Sequence, residues 1–318
     1  MNRPSAEPNY AWNGAIVLGT GRCGSTLLSR ALALHPDVLS LSEFFFNQAP
    51  EIFPAGVMTG ADFWNLISDR NRMTTAIIGI KAEPSEFLYP LDGGGRFDRV
   101  SGVPRIATVT LPFLTGDPDG LFDRLCEAVP LFPEQSAAEQ YLELFSLLGS
   151  WLNRPLWIER SGASGFVADQ LVANFPAARY VHLTRDLGAT ALSMSKHSTF
   201  RVIALWGEFI NRCGCDVLHG CQPADGIPAD LADLAPDRFC AESFARWHPS
   251  VDYFRELAAL MEASIQAQLA TLPASQVLDV SYEAILKDPV AEFTRLAEFF
   301  ELENPQTWTK EAAALVRR

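Results

Sequence analysis

The chain has 318 residues, 48% hydrophobic and 20% charged, a globular balance long enough to bury a core without staples. Its net charge of −13 repels nucleic-acid backbones and anionic membranes, so an anionic ligand would need a local arginine cluster. No stretch approaches the roughly 18 apolar residues of a membrane span, MNRPSAEPNYAW at the N-terminus has no apolar signal core, and six cysteines do not suggest a disulfide framework, so a cytoplasmic protein with reduced thiols is expected.

Residues 15–19, AIVLG, form a short apolar run ending in glycine, as a buried parallel strand does. Leu27, Leu28, Ala31 and Leu32 then recur at helical spacing until His35-Pro36 stops the helix. Val38 to Leu41 predicts a second strand and Ala76 to Ile80 a third; residues 156–159, 179–183 and 276–280 complete the set. Helical patterns between most of these predict an α/β fold, a P-loop-like parallel sheet flanked by helices. Two largely helical insertions, about 46–150 and 200–272, are expected to roof the sheet. Ser136 with Glu139 predicts a capping box, and Asp288-Pro289 a helix start. The whole is read as one domain, 1–318, with its core at about 15–45, 156–197 and 276–302.

In GTGRCGST, Gly19 and Gly24 match the two glycines of a phosphate-binding loop, but Ser25 stands where ATP- and GTP-binding loops carry lysine, and Thr26 follows. Amides around Gly21, Cys23, Gly24, Ser25 and Thr26 can still converge on an anion at a helix N-terminus. Arg22 at the loop tip supplies a fixed cation able to grip two oxygens. Cys23 sits where a helix dipole lowers a thiol's pKa, or is simply a small filler. Farther on, RYVHLTRDLGATALS predicts a strand, Arg185 at its C-terminal end, and Ser193 about two helical turns later. Together they suit a second phosphate; alone, Arg185 equally suits a surface ion pair.

These pieces, in this order, resemble the sulfotransferases that use 3′-phosphoadenosine 5′-phosphosulfate (PAPS), in their bacterial and tyrosylprotein branch. GTGRCGSTLLSRAL is similar to that family's 5′-phosphosulfate loop, and RDLGATALS, with Arg185 and Ser193, to its 3′-phosphate motif. LWIERSGASGFVADQLVANFPAARYVHLTRD resembles the segment in which the branch carries lysine before serine-proline or aspartate-proline; here Arg160 takes that place, followed by Ser161-Gly162. VSYEAILKDP resembles its tyrosine-glutamate C-terminal motif.

The resemblance implies PAPS as donor and PAP as product, with no metal required and a small-molecule hydroxyl acceptor, apolar or aromatic, less readily an amine. No nucleic-acid or membrane partner is expected, and a homodimer is left open. Arg22, Arg160 and the loop amides would stabilise the leaving oxygen. Glu43, after the second strand, is the expected general base, its pKa raised by Phe44, Phe45 and Phe46; the plain alternative is a helix-capping or surface glutamate. His197 is the second candidate base. Trp206 and Tyr282 are candidate adenine contacts, each with a simple packing alternative. Aromatic residues of the first insertion, such as Phe53, Phe63, Phe87, Tyr89 and Phe113, suit either an acceptor pocket or the insertion's own core. Cys213, Cys215, His219 and Cys221 carry zinc-type ligands, but C-x-C is not the usual knuckle spacing, so ordinary loop cysteines are favoured. A non-catalytic PAP-binding or sensor module, or a kinase with a degenerate loop, would share part of this pattern.

Overall fold

The computed structural model describes residues 14–49, 52–224 and 226–316. The N-terminal dodecapeptide read for a signal core lies outside them, as does the side chain of His219. The described residues cluster into two compact units. The first comprises those within 1–64, 124–185 and 260–318, and the second those within 65–123 and 186–259. No helix among the described residues is long and apolar enough to cross a membrane.

The first unit holds a five-stranded sheet, and the predicted α/β class is the one the chain adopts. Its strands are β1 (Ala15–Gly19), β2 (Val38–Ser42), β5 (Leu156–Arg160), β6 (Arg179–Thr184) and β7 (Val277–Ser281). The short strands β3 (Val57–Met58) and β4 (Gln135–Ser136) pair antiparallel in a separate ribbon. The order is β2-β5-β1-β6-β7 and every pairing is parallel. All five residues of β1, β2 and β5 are buried, so even the polar Ser40, Ser42, Glu159 and Arg160 of these strands lie inside. After β1 the chain moves to β2 on one side, while β6 and β7 lie on the other. The C-terminal ends beside β1 therefore form a topological switch point, where open parallel sheets bind ligands.

Helix α1 (Ser25–Ala33) follows β1 and packs its buried face, Leu28, Ala31 and Leu32, into a core shared with Val17, Val181, Phe293 and Trp308. Trp308 also donates its indole N–H to the Ala31 carbonyl at 2.7 Å. Phe44, Phe45, Phe53 and Phe63 pack edge-on with Tyr141, and the same cluster takes in Phe145, Trp157 and Phe175. Those phenylalanines pack into core, at about 1.5–3 kcal/mol for each ring fully buried. Both predicted caps form. Ser136 and Glu139 make the reciprocal box at the helix Ala137–Leu152, and Asp288 accepts from Ala291 at the helix Pro289–Phe299.

The second unit is helical, with cores around Leu205, Phe209, Val217 and Leu231, and around Ile77, Val202 and Phe244. Two expectations are corrected there. Ala76–Ile80 is not a strand; its first four residues end the helix Arg72–Gly79 and Ile80 is the C-cap, while Asn71 starts that helix by accepting the Thr74 amide at 3.1 Å. A five-residue apolar run fits either element, and the cap decides. Cys215 and Cys221 form a disulfide, so the thiols are not all reduced and two of the zinc-type ligands are consumed. Cys23, Cys126, Cys213 and Cys240 are free.

Candidate active site

Each strand of the sheet ends in a residue that the sequence singles out or directly beside one. β1 runs into the glycine loop, β2 ends before Glu43, β5 ends at Arg160, β6 before Arg185 and β7 before Tyr282. The glycine loop turns through three left-handed residues, Gly21 (φ 80°), Arg22 (φ 56°) and Gly24 (φ 90°). Left-handed residues so close together let the loop turn its amides into one concavity. Gly24 is the N-cap of α1, and it provides no side-chain cap. The first turn also carries no acidic residue, so its amides and the positive end of the dipole are left to an anion. Ser164, fully buried, braces the base of the loop by accepting the Gly19 amide at 3.0 Å.

Arg185 reaches this loop. Its Nη1 donates to the Arg22 carbonyl at 2.7 Å, and its guanidinium lies 4.9 Å above the centre of the Tyr282 ring. That ring in turn lies against Gly24: a Cβ there would come within 2.2 Å of Tyr282 Cδ2. Tyr282 is thus wedged between Gly24 and Arg185, which accounts for glycine at position 24 on packing as well as dihedral grounds. Cys23 is a filler of the core. Burial pushes its thiol pKa up, against the lowering expected at a helix N-terminus, because loss of water outweighs the nearby amides and the Arg160 charge.

Glu43 has left-handed geometry (φ 54°, ψ 30°) at the junction of β2 with the short helix α2 (Phe44–Gln48). A non-glycine residue there stores on the order of 1–3 kcal/mol of strain. The surroundings hold it in place. Its amide donates to the Arg160 carbonyl at 2.8 Å, its Oε2 accepts the Gly162 amide at 2.9 Å, and its Oε1 is ion-paired with Arg160 Nη1. A Cβ at position 162 would lie 3.0 Å from Glu43 Oε1, so glycine there leaves room for the carboxylate. Phe44 and Phe45 point into the aromatic cluster instead, so the neighbours of this carboxylate are a cation and an amide rather than the expected rings.

Arg160 is only 2% exposed. Its Nε donates to Ser29 Oγ at 2.5 Å and its Nη2 to Ser42 Oγ at 2.6 Å, with Nη1 on Glu43. It spans α1, β2 and β5 as a fixed buried cation that orients Glu43. Beside it Glu159 is fully buried, and its pKa is pushed up to about 8, first by desolvation and then by the Glu43 charge. Hydrogen bonds from Ser161 and the Phe45 amide offset only part of that shift. A carboxyl raised from 4.5 to about 8 on folding keeps its proton in the native chain while the unfolded chain loses it. Its burial therefore costs stability progressively between those values as pH rises. Glu159→Gln removes this slope. The unfolding free energy of the variant relative to wild type should rise by roughly 3 kcal/mol from pH 5 to pH 8, measured by urea denaturation at each pH.

The structure thus brings Arg22, Gly24, Arg185 and Tyr282 together in the first unit, and Glu43 with Arg160. Ser193, His197 and Trp206 belong to the second unit. There His197 stands at the N-cap position of the helix Ser198–Cys213 without a side-chain cap, its Nε2 3.2 Å from Glu86 Oε2, and Trp206 donates to Asp216 Oδ2 at 2.9 Å. Sequence reasoning missed Ser29, Ser42, Glu159, Ser161 and Ser164. The signal available was LWIERSG itself, two charges at the end of an otherwise apolar strand, where charge is tolerated only if paired.

No protein-family model matches the chain, and no curated protein matches it in sequence. It is similar to solved sulfotransferase structures at low identity. The sulfotransferase domain from the Synechococcus PCC 7002 olefin synthase is 16% identical, with a TM-score of 0.46 over 92% of this chain and 76% of that one. The sulfotransferase domain from the curacin biosynthetic pathway is 14% identical, with a TM-score of 0.48 over the same shares. A sulfotransferase from Mycobacterium avium is 16% identical, with a TM-score of 0.44 over 96% of this chain and 67% of that one.

Proposed function

We propose that this chain is a PAPS-dependent sulfotransferase that moves a sulfuryl group to a hydroxyl of a small-molecule acceptor, with Glu43 as general base. One observation carries the reading: Arg185 donates to the carbonyl of Arg22 in the glycine loop and stacks on Tyr282, which itself covers Gly24. Two segments more than 150 residues apart thereby make one anion-binding edge on a sheet that lacks the nucleotide-kinase lysine.

PAPS supplies an activated sulfuryl group whose leaving oxygen gains charge as its bond breaks. The amides at Gly24, Ser25 and Thr26, together with Arg22, meet that charge, each contributing on the order of 10²–10³ in rate as preorganised donors do. A sulfuryl group carries less charge than a phosphoryl group, so amides and fixed cations suffice without a metal. Glu43 receives the acceptor's proton, and Arg160, too buried to serve as a surface cation, fixes the carboxylate that receives it.

The test is incubation with PAPS and a panel of small hydroxyl and amine acceptors, followed by mass spectrometry for products heavier by one SO3 group. Calorimetry should show PAP binding that weakens roughly 10–100-fold in Arg185→Ala, the loss of a charge-assisted contact. Ser193→Ala should weaken it less. PAP affinity without transfer to any acceptor would identify a binding module instead, and tighter binding of magnesium-ATP than of PAP would identify a degenerate kinase.

A further inference from the structure

Glu43 occupies the N-cap of α2, yet it makes no side-chain cap to that helix. An N-cap carboxylate ordinarily accepts the amide two or three residues into its own helix. Those amides are Phe45 and Phe46, and both are already taken from across the sheet. Phe45 N–H donates to Glu159 Oε1 at 3.2 Å, and Phe46 N–H donates to Ser161 Oγ at 2.9 Å. Ser161 Oγ in turn donates to Glu159 Oε1 at 2.5 Å, which locks the pair of acceptors together. Strand alternation explains the division of labour. Glu159 and Ser161 face α2 and cap it; the intervening Arg160 and the following Gly162 face the Glu43 carboxylate and hold it.

We propose that Glu159 and Ser161 are positioning residues for Glu43: by capping α2 in its place, they leave its carboxylate turned toward Arg160 and Gly162. Glu159 and Ser161 are 0% and 1% exposed, so neither depends on solvent for its geometry and neither is placed to touch an acceptor. With the surrogate cap removed, the unpaired Phe46 amide competes for Glu43, the N-cap carboxylate of its own helix. Leaving a buried amide unsatisfied is costly enough to draw the side chain round.

The proposal rests on the reading of Glu43 as base, and two separate measurements keep the two ideas apart. The crystal structure of Ser161→Ala, a small change in a packed site, should show the Glu43 carboxylate moved from Gly162 onto the Phe46 amide. A carboxylate still on Arg160 and Gly162 in that variant would overturn the positioning role, whatever the turnover. In kinetics, Ser161→Ala and Glu159→Leu should each lower kcat by on the order of 10²-fold, as a misplaced catalytic group does, with the KM for PAPS unchanged. Glu159→Gln, which keeps an oxygen toward the Phe45 amide, should recover most of the kcat lost in Glu159→Leu. In a Glu43→Gln background Ser161→Ala should add no further loss, since it acts through that carboxylate. Equal, additive losses in both backgrounds would contradict it.

Discussion

Replacing Glu43 by glutamine is expected to lower turnover by about 10²–10⁴ while leaving PAP affinity as it is in the wild type. Glutamine matches the shape of the side chain and can still accept the Gly162 amide through its carbonyl oxygen. It cannot take a proton from an acceptor. Nothing in the glycine loop depends on it, because that loop is braced by Ser164 and Arg185 instead. The measurement pairs kcat at saturating PAPS with calorimetry of PAP. Turnover near that of the wild type would pass the base role to His197, which is half-buried beside Glu86 in the second unit.

Arg160→Leu should be the most destabilising single change at the site. The guanidinium is 2% exposed and joins Ser29, Ser42 and Glu43; removing it strands a carboxylate that is itself only 13% exposed. Breaking a buried pair on one side costs about 3–5 kcal/mol, more than the pair contributes over an apolar substitute. The double change Arg160→Leu with Glu43→Leu should therefore recover much of the stability lost, and none of the activity. Urea denaturation gives the first result and turnover the second. If Arg160→Leu alone proved nearly neutral, Arg160 would not be the anchor of this carboxylate.

Much of the sheet was legible because most of its strands are largely buried and open on short apolar runs bounded by turns. The glycine loop, Arg185 and the helix caps were legible for a related reason: each is a local pattern whose chemistry lies within a few residues. Ala76–Ile80 was misread because a short β-branched run has no period of its own, and the deciding Asn71 cap lies outside it. The disulfide was missed because spacing says nothing of which sulfurs meet. The Glu43 network was only half visible. Its partners lie 114 to 119 residues along the chain, and only the parallel register of β2 on β5 sets Ser42 beside Arg160. No local pattern encodes that register. What the sequence did reveal was Glu43 itself, one residue past a strand end, and, through the resemblance, Arg160 at the end of β5.

A crystal structure of the chain with PAP bears most directly on the assignment. The account predicts one nucleotide along the sheet edge, its 5′-phosphate on the amides of Gly24, Ser25 and Thr26 and its 3′-phosphate on Arg185. PAP bound away from this edge, or with its two phosphates exchanged, would contradict it.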